Sequence, residues 1–366
     1  MRLVWLELAG FRTYRELRFQ PGEGLNIIGG LNGAGKTNLL EAIGYLTSLR
    51  SFRGASDEAL VNHQSATAVI RAEIERGEST ALVELEINRG GKRRVMVNRQ
   101  RLARVSDLLG VVRAVPFLPE DLEIVKGGPS GRREVLDELG VALWPAAALD
   151  LSEYERALRQ RNALLRFGRG SRIDAGTLDA WDVRMSQAGG RLMERRTAAL
   201  LEVISGWRDA YETLAGHAAP IGVAYESGWG GELEANVSGS LFAERLLAAL
   251  RAARHRDVER GLTTVGLHRD DPTILLDGHD VRLHASQGEQ RSLIIGLRLA
   301  AHAAIGEAAG SAALLLLDDV FSELDPERSQ RLIEVLPVAQ TFLTSARPED
   351  VPVAGKLWTV DGGGVW

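Results

Sequence analysis

Hydrophobic and polar residues alternate along the first 118 positions in the manner of β-strands. Most of these segments have a period of two, which is typical of strands that bury one face. The shorter segment 25–28 is mostly apolar, as expected for a strand buried on both faces. Strands are predicted over residues 2–8, 25–28, 69–75, 81–87 and 111–117.

The period changes to that of α-helices between about residues 131 and 216. Four apolar residues between 151 and 165 fall at heptad a and d spacing, with Arg161 in the one polar position. Five apolar residues between 178 and 192 repeat a spacing of three and four. The glycine-rich stretch 167–171 separates the two segments. This pattern predicts an antiparallel pair of helices, each about five turns long, packed as a lobe.

Strands and helices alternate again in the last third of the chain. Helices are predicted over 239–256, over 289–305 and after Pro326, and strands over 273–276, 313–317 and 340–344. The predicted fold class is α/β, a domain interrupted by a helical insertion. The predicted division is 1–118 for the N-terminal half of this domain, 119–255 for the helical lobe and 256–366 for the C-terminal half.

Composition excludes several kinds of site and indicates the cellular compartment. The 366 residues include no cysteine, which excludes disulfides and thiolate metal sites. No apolar run approaches the roughly 20 residues that span a bilayer, and Glu7 interrupts the N-terminal apolar stretch too early for a signal peptide. A cytoplasmic protein with no membrane partner is expected.

The net charge of −5 gives the whole chain no electrostatic preference for nucleic acid. Basic residues are nevertheless clustered in two places, and each cluster is either a solvated surface or part of a local DNA site. The clusters comprise Lys92, Arg93, Arg94, Arg99, Arg101 and Arg104, and then Arg156, Arg159, Arg161, Arg166, Arg169 and Arg172.

The segment from Gly30 to Thr37 fits the phosphate-loop pattern G-x-x-x-x-G-K-[ST], between a predicted strand and a predicted helix. Glycines let the backbone wrap around a phosphate, and the helix N-terminus favours an anion. Lys36 is predicted to reach the β- and γ-phosphates of a nucleoside triphosphate, and the Thr37 hydroxyl to bind Mg²⁺. The alternative is a chance glycine-rich turn, which the strand–loop–helix context disfavours. The predicted nucleotide contacts are Gly30, Asn32, Gly33, Ala34, Gly35, Lys36, Thr37 and Asn38.

Four leucines, 314–317, precede Asp318 and Asp319 and predict a central parallel strand. Asp318, at the carboxyl end of that strand, is the predicted second ligand of Mg²⁺. Asp319 is the candidate base or water-orienting residue. The alternative is a helix N-cap followed by a solvated neighbour.

Ser286, Gln287 and Gly288 lie just before a predicted helix, where a hydroxyl and backbone N–H groups can bind a phosphate. Ser286 and Glu289 also have the spacing of a capping box. The two roles are compatible.

In their order along the chain, these segments resemble the Walker A, signature, Walker B and D-loop motifs of ABC ATPases. The resemblance implies that two heads enclose two ATP molecules, so that Ser286, Gln287 and Gly288 act on the nucleotide bound at Lys36 of a second copy. It also implies that the D-loop crosses the dimer interface through residues 322–325, with Ser322 and Asp325 as the candidate dimer contacts. Transporter ATPases carry a switch histidine near the place of Thr344 and Ser345, and this chain has none there.

The residue after the magnesium carboxylate departs from the ABC pattern, which usually has glutamate there. Asp319 is shorter by one methylene, so a base at this position reaches less well. With Lys36 and Asp319 as the candidate catalytic residues, weak ATP hydrolysis that serves as a switch is expected.

The chain is more specifically similar to the bacterial RecF family, SMC-like heads with a long helical separation between the phosphate loop and the signature. The similar segments are 8–14, 36–43, 117–122, 125–133, 159–165 and 266–271. The last of these has Leu267 where the family has proline. A P-loop ATPase head of the ABC type, with a mixed sheet and a helical lobe, is implied.

The resemblance also implies a recombination mediator in gap repair. Such a protein dimerises with ATP on duplex DNA or on single-strand/double-strand junctions, and acts with RecR and RecO to load RecA. The candidate DNA contacts are Arg50, Arg53, Arg93 and Arg94. The competing hypotheses are a non-DNA ABC ATPase, such as a transporter subunit, and a scaffold with a vestigial phosphate site.

Two further groups of residues each allow two interpretations. Phe11, Arg12 and Tyr14 either contact adenine or pack at the end of a strand. His268 is either structural or part of a nucleotide-facing surface.

Overall fold

The computed structural model describes residues 1–90, 93–167 and 174–366. These residues form two compact units. The first unit comprises Met1–Asp121, Asp209–Ala218 and Arg291–Trp366, and the second comprises Leu122–Arg208 and Ala219–Gln290. Residues 256–290, predicted to belong to the C-terminal half of the head, lie in the second unit.

Fifteen strands are found in the described residues. They are β1 Arg2–Phe11, β2 Tyr14–Phe19, β3 Leu25–Gly29, β4 Thr67–Arg76, β5 Ser79–Asn88, β6 Arg94–Val97, β7 Gln100–Arg101, β8 Ala114–Phe117, β9 Ile221–Glu226, β10 Asp271–Leu276, β11 His279–Asp280, β12 Leu314–Asp318, β13 Thr341–Ser345, β14 Lys356–Asp361 and β15 Gly364–Val365.

Ten α-helices are found in the same residues. They are α1 Lys36–Ser48, α2 Asp57–Leu60, α3 Glu123–Lys126, α4 Pro129–Leu143, α5 Ala147–Phe167, α6 Ala175–Ala215, α7 Gly239–Arg260, α8 Val281–His284, α9 Gln287–Ala309 and α10 Pro326–Val335.

The first unit contains two six-stranded sheets. One is antiparallel in the order β2-β1-β4-β5-β6-β7. The other has the order β15-β14-β3-β13-β12-β8, and its strands are parallel except β15. One apolar core joins residues of both sheets to α1, including Leu6, Ile28, Leu40 and Leu316, all fully buried. The all-apolar sequence of β12 therefore follows from burial on both faces.

In the parallel sheet, β13 lies between β3 and β12. The carboxyl end of β3 leads into the glycine loop and α1, and the carboxyl end of β12 carries Asp318. Because the carboxyl ends of parallel strands lie at one edge, the predicted phosphate and metal residues share that edge. The predicted strands at 25–28, 313–317 and 340–344 are confirmed to within one residue.

The second unit is built on helices, with the small antiparallel sheet β11-β10-β9. Ion pairs join α5 and α6 in antiparallel order, since Asp150 pairs with Arg191 and Arg161 with Asp182. The predicted antiparallel helix pair is confirmed, but the predicted length was wrong for α6, which has 41 residues. The predicted break at 167–171 lies outside the described residues from position 168 onward.

Helix α9 is long and apolar enough to cross a membrane, but 72% of its most apolar window is buried inside the protein. Burial to this extent is typical of a helix in the core of a protein. Its middle and end belong to the first unit, where Leu293, Leu297 and Ile305 are buried.

Candidate nucleotide-binding half-site

The loop between β3 and α1 has the backbone of a phosphate cradle. Gly30, Gly33 and Gly35 have positive φ angles of 148°, 81° and 117°, which L side chains rarely adopt. A Cβ added to Gly30 would overlap the carbonyl oxygen of Val360, whereas Gly33 faces open space. The sequence pattern of glycines therefore reflects a backbone requirement at this loop.

The start of β2 holds the end of this loop in place. The Tyr14 hydroxyl donates to the Gly35 carbonyl oxygen at 3.0 Å. Asn38 Nδ2 donates to Thr13 Oγ1 at 3.1 Å. Phe11 and Tyr14 are fully buried, so strand-end packing, rather than adenine contact, accounts for them. Arg12 pairs with the buried Glu41 of α1 at 2.7 Å, a pairing that the sequence pattern does not indicate.

Lys36 lies inside the loop that it follows. Its Nζ donates to the carbonyl oxygens of Gly30 at 2.7 Å and Leu31 at 3.0 Å. Burial lowers the pKa of this ammonium group, and Asp319 and Asp318 oppose that shift. The side chain is 8% exposed. A cation held among backbone oxygens in this way fits an incoming phosphate, which offers it more strongly charged acceptors.

Thr37 and Asp318 are joined directly. Thr37 Oγ1 lies 3.0 Å from both carboxylate oxygens of Asp318. Burial raises the pKa of Asp318, and hydrogen bonds from Thr344 and Thr37 oppose the shift. The described residues contain no group of three His, Cys, Asp or Glu that could hold a metal. A hydroxyl and one carboxylate fit Mg²⁺, which usually completes its octahedron with phosphate oxygens and water.

The turn after β12 is held by two further hydroxyl groups. Thr344 Oγ1 donates to Asp318 Oδ1 at 2.5 Å and accepts from the backbone N–H of Asp319 at 3.0 Å. Ser322 Oγ donates to the Asp319 carbonyl oxygen at 2.8 Å. Asp319 itself has φ 51°, in the left-handed region that non-glycine residues seldom occupy. The sequence identified Asp318, Asp319 and Ser322, but not the hydrogen bonds that join Thr344 to the two aspartates.

Asp325 caps α10 and accepts from the Arg328 N–H at 2.8 Å. That backbone hydrogen bond is the main reason why the pKa of Asp325 lies below its ordinary value. Helix α10 therefore begins directly after the predicted D-loop.

The predicted signature segment begins α9 as a capping box. The Ser286 N–H donates to Glu289 Oε2 at 2.7 Å, and the Glu289 N–H donates to Ser286 Oγ at 3.3 Å. Ser286 and Gln287 are exposed, and Gly288 is partly exposed. The capping role is confirmed, and the phosphate role remains a prediction.

The four candidate DNA-binding arginines differ in their surroundings. Arg93 donates to Asp57 Oδ1 at 2.8 Å and to the Leu49 carbonyl oxygen at 2.6 Å, and it stacks on Tyr45. These contacts give Arg93 a structural role in the first unit. Arg94 is exposed and lies 3.9 Å from Glu86.

Arg50 and Arg53 are also exposed, on the loop after α1. In the described residues their side chains have no ion-pair partner. Of the two basic clusters, Lys92, Arg169 and Arg172 lie outside the described residues.

His268, in the second unit, has a structural environment. Its Nδ1 lies 2.9 Å from the Tyr154 hydroxyl, and its Nε2 lies 3.3 Å from the Thr263 carbonyl oxygen. Burial lowers the pKa of His268 to about 4. The structural interpretation therefore accounts for this residue.

A glycine loop with Lys36 and Thr37, a carboxylate two strands away and a capped Ser-Gln-Gly helix start together define an ABC-type ATPase head of the SMC-like class. The profile of the RecF/RecN/SMC N-terminal domain matches residues 2–361. A DNA replication and repair protein RecF from Streptomyces avermitilis is 41% identical over 374 residues, covering 100% of this chain and 99% of that protein. Its counterpart from Frankia alni is 42% identical over 375 residues, with the same coverage.

Solved structures agree with these relatives. The recombination mediator protein RecF with ATP, described as part of the RecFOR pathway, has a TM-score of 0.88 and 30% identity, covering 100% of this chain and 98% of that one. An SMC head bound to the winged-helix domain of ScpA has a TM-score of 0.56 at 14% identity, covering 100% and 96%, and shows the shared fold. The chain belongs to the RecF family of DNA replication and repair proteins, and the expectation of an SMC-like head with a helical lobe is confirmed.

Proposed function

We propose that this protein is an ATP-dependent, DNA-binding recombination mediator in the repair of gapped DNA. The observation that carries the proposal is the preassembled pair Thr37–Asp318 beside the buried ammonium of Lys36, in a glycine loop whose backbone suits a phosphate. The relatives named for DNA replication and repair, and the RecF structures with ATP, support the same assignment.

ATP is the proposed ligand of the loop from Gly30 to Asn38. Lys36 would bind the β- and γ-phosphates, and Thr37 and Asp318 would hold Mg²⁺. When bound, the metal neutralises phosphate charge and orients the terminal phosphate. The chain's own contribution is to keep the hydroxyl and the carboxylate together and to supply N–H groups at the start of α1.

ATP binding is proposed to close two copies of the chain on each other. Ser286, Gln287 and Gly288 of one copy would contact the terminal phosphate held by the other. Their exposure and the N–H groups at the start of α9 support this role. Ser322 and Asp325 would lie in the dimer contact, where the exposed turn before α10 is available.

Slow hydrolysis is proposed to reopen the dimer. Asp319 directly follows Asp318, and its side chain is one methylene shorter than that of the glutamate usual in ABC ATPases. The backbone N–H and the carbonyl oxygen of Asp319 are both hydrogen-bonded within the turn. A backbone shift that extended the reach of the shorter side chain would therefore break those bonds. This geometry favours a switch over a motor.

DNA is the proposed partner of the closed dimer, as duplex or as a single-strand/double-strand junction. Arg50 and Arg53 are the stronger candidates for phosphate contact, since they are exposed, and Arg94, which is exposed but lies 3.9 Å from Glu86, follows. Two copies would double a local basic surface that one copy offers weakly. RecR, RecO and RecA are the proposed partner proteins in the cytoplasm, by analogy with the RecFOR pathway named for the RecF structures.

The test is fluorescence anisotropy of a labelled duplex with and without Mg²⁺-ATP, repeated at several salt concentrations. ATP should strengthen binding, and added salt should weaken it. Ser286→Arg should remove the effect of ATP, whereas Ser238→Arg should keep it. Ser238 is a matched control because it is the N-cap of α7 and has no proposed phosphate role. Binding that neither ATP nor salt alters would refute the proposal, and an ATP effect that survives Ser286→Arg would refute the role of the signature serine.

A further inference from the structure

We propose that Thr344 is a positioning residue that links the metal carboxylate to the D-loop. The inference rests on the proposed function, since it takes Asp318 to be the metal ligand. It goes further by giving a role to a buried hydroxyl that the nucleotide itself would not touch. The observation behind it is a continuous chain of hydrogen bonds inside the first unit.

The register of the parallel sheet places Thr344 directly opposite Asp318. Strand β13 lies between the strand that leads into the phosphate loop and the strand that ends in Asp318. A side chain at the end of β13 can therefore reach Asp318 sideways, without any loop between them. Thr344 is 1% exposed, so water does not compete for its hydroxyl.

The direction of each hydrogen bond follows from the number of protons available. The backbone N–H of Asp319 can only donate, so Thr344 Oγ1 accepts from it at 3.0 Å. The single proton of Thr344 is then directed at Asp318 Oδ1, 2.5 Å away. One hydroxyl thus fixes the orientation of the carboxylate and the position of the next peptide at the same time.

The chain of bonds extends at both ends. Thr37 Oγ1 donates to Asp318 at 3.0 Å, and Ser322 Oγ donates to the carbonyl oxygen of Asp319 at 2.8 Å. Asp319 has the left-handed backbone conformation, with φ 51°. Its N–H and its carbonyl oxygen are both hydrogen-bonded. The bonds therefore form a continuous path from Thr37 in the phosphate loop through Asp318, Thr344 and Asp319 to Ser322 in the D-loop.

Partners that orient a metal-binding side chain typically change metal affinity by about 10–100-fold when they are removed. Thr344→Val removes the hydroxyl and keeps the shape of the side chain. We expect at least about a 10-fold rise in the Mg²⁺ concentration that supports binding of a fluorescent ATP analogue. The ATP concentration that produces dimers in light scattering should rise in parallel. Thr344→Ser keeps the hydroxyl and should restore both values.

Thr341→Val is the matched control. Thr341 is on the same strand and 2% exposed, but its hydroxyl bonds to the Ala339 carbonyl oxygen, away from the site. If Thr344→Val does not fold, Thr344→Ala removes the same hydroxyl with less crowding. Wild-type Mg²⁺ dependence in Thr344→Val or Thr344→Ala would overturn the inference, and so would an equal change in Thr341→Val. Failure of the wild-type protein to dimerise with ATP would instead refute the proposed function.

Discussion

Replacing Arg161 with methionine removes a cation from the interior of the second unit. Arg161, Asp182 and Asp257 are all fully buried. Arg161 Nε donates to Asp182 Oδ1 at 2.6 Å, and its NH1 donates to Asp257 Oδ2 at 2.7 Å. Methionine is unbranched like the arginine stem, but it is shorter and has no charge, so the variant leaves two buried carboxylates without this partner.

The magnitude follows from what each carboxylate keeps. Asp182 would keep its ion pair with Arg254, at 2.7 Å. Asp257 would keep hydrogen bonds from the N–H and hydroxyl of Thr264. Breaking a buried ion pair by removing one partner usually costs about 3–5 kcal/mol, and we expect a loss within that range. At about 2–4 °C per kcal/mol for a unit of this size, the melting temperature of the unit should fall by about 10 °C.

The assay is thermal unfolding followed by circular dichroism, with Arg159→Met as the matched control. Arg159 lies on the same helix, but its pair with Glu155 is exposed and 3.6 Å long. That exposed pair is worth at most about 1 kcal/mol. If both variants melt at similar temperatures, or if Arg161→Met melts like the wild type, the buried ion pairs of Arg161 do not stabilise the second unit as argued.

Three further predictions concern pH, DNA and hydrolysis. Burial raises the pKa of Asp270 from 3.8 to about 6. Between these pH values the folded state holds a proton on Asp270 that the unfolded state has lost, so the free energy of unfolding falls as the pH rises from about 4 to about 6, by at most about 3 kcal/mol. Asp270→Asn should therefore gain stability relative to wild type between pH 4 and 7 in urea titrations, and a constant difference would contradict this. Arg53→Ala should weaken duplex binding and lower the salt slope by about 1, whereas Arg93→Ala should mainly lower the melting temperature; the reverse pattern would contradict the contacts seen for Arg93. Asp319→Glu should raise the rate of ATP hydrolysis in a phosphate-release assay, and a wild-type rate above about 10 per second without partners would contradict the switch interpretation.

Local motifs made the chemistry of the head predictable from sequence. The phosphate loop, the Leu-rich strand before Asp318 and the capping box at Ser286 each lie within about ten consecutive residues. Their backbone requirements are local, so the residue types carry them: glycines at positive φ in the loop, and Ser with Glu at a helix start. The alternation of strands and helices around them was equally local.

Pairings between distant segments were not predictable in the same way. Thr344 is 26 residues from Asp318, and a threonine in a strand is ordinary. The sequence marked Arg161 as polar in an apolar helix face, but its partners Asp182 and Asp257 lie 21 and 96 residues away. Arg93 was grouped with its basic neighbours, and only the fold brings Asp57 to it.

The length of α6 was predicted wrongly although its apolar pattern is local. Buried residues continue at the same spacing of three to four past Leu192, the last of the five apolar residues on which that helix was predicted, and include Val203, Trp207, Tyr211 and Leu214. The periodic signal was therefore present in the sequence over the whole helix.

Multi-angle light scattering with and without Mg²⁺-ATP tests the central claim most directly, because both the proposed composite ATP site and the proposed DNA-binding surface require a dimer. The chain has a mass of 39.8 kDa. We predict this mass without nucleotide, twice this mass with saturating Mg²⁺-ATP, and the monomer mass for Ser286→Arg under both conditions. A wild-type protein that keeps the monomer mass at saturating Mg²⁺-ATP, while still binding the nucleotide, would contradict the account.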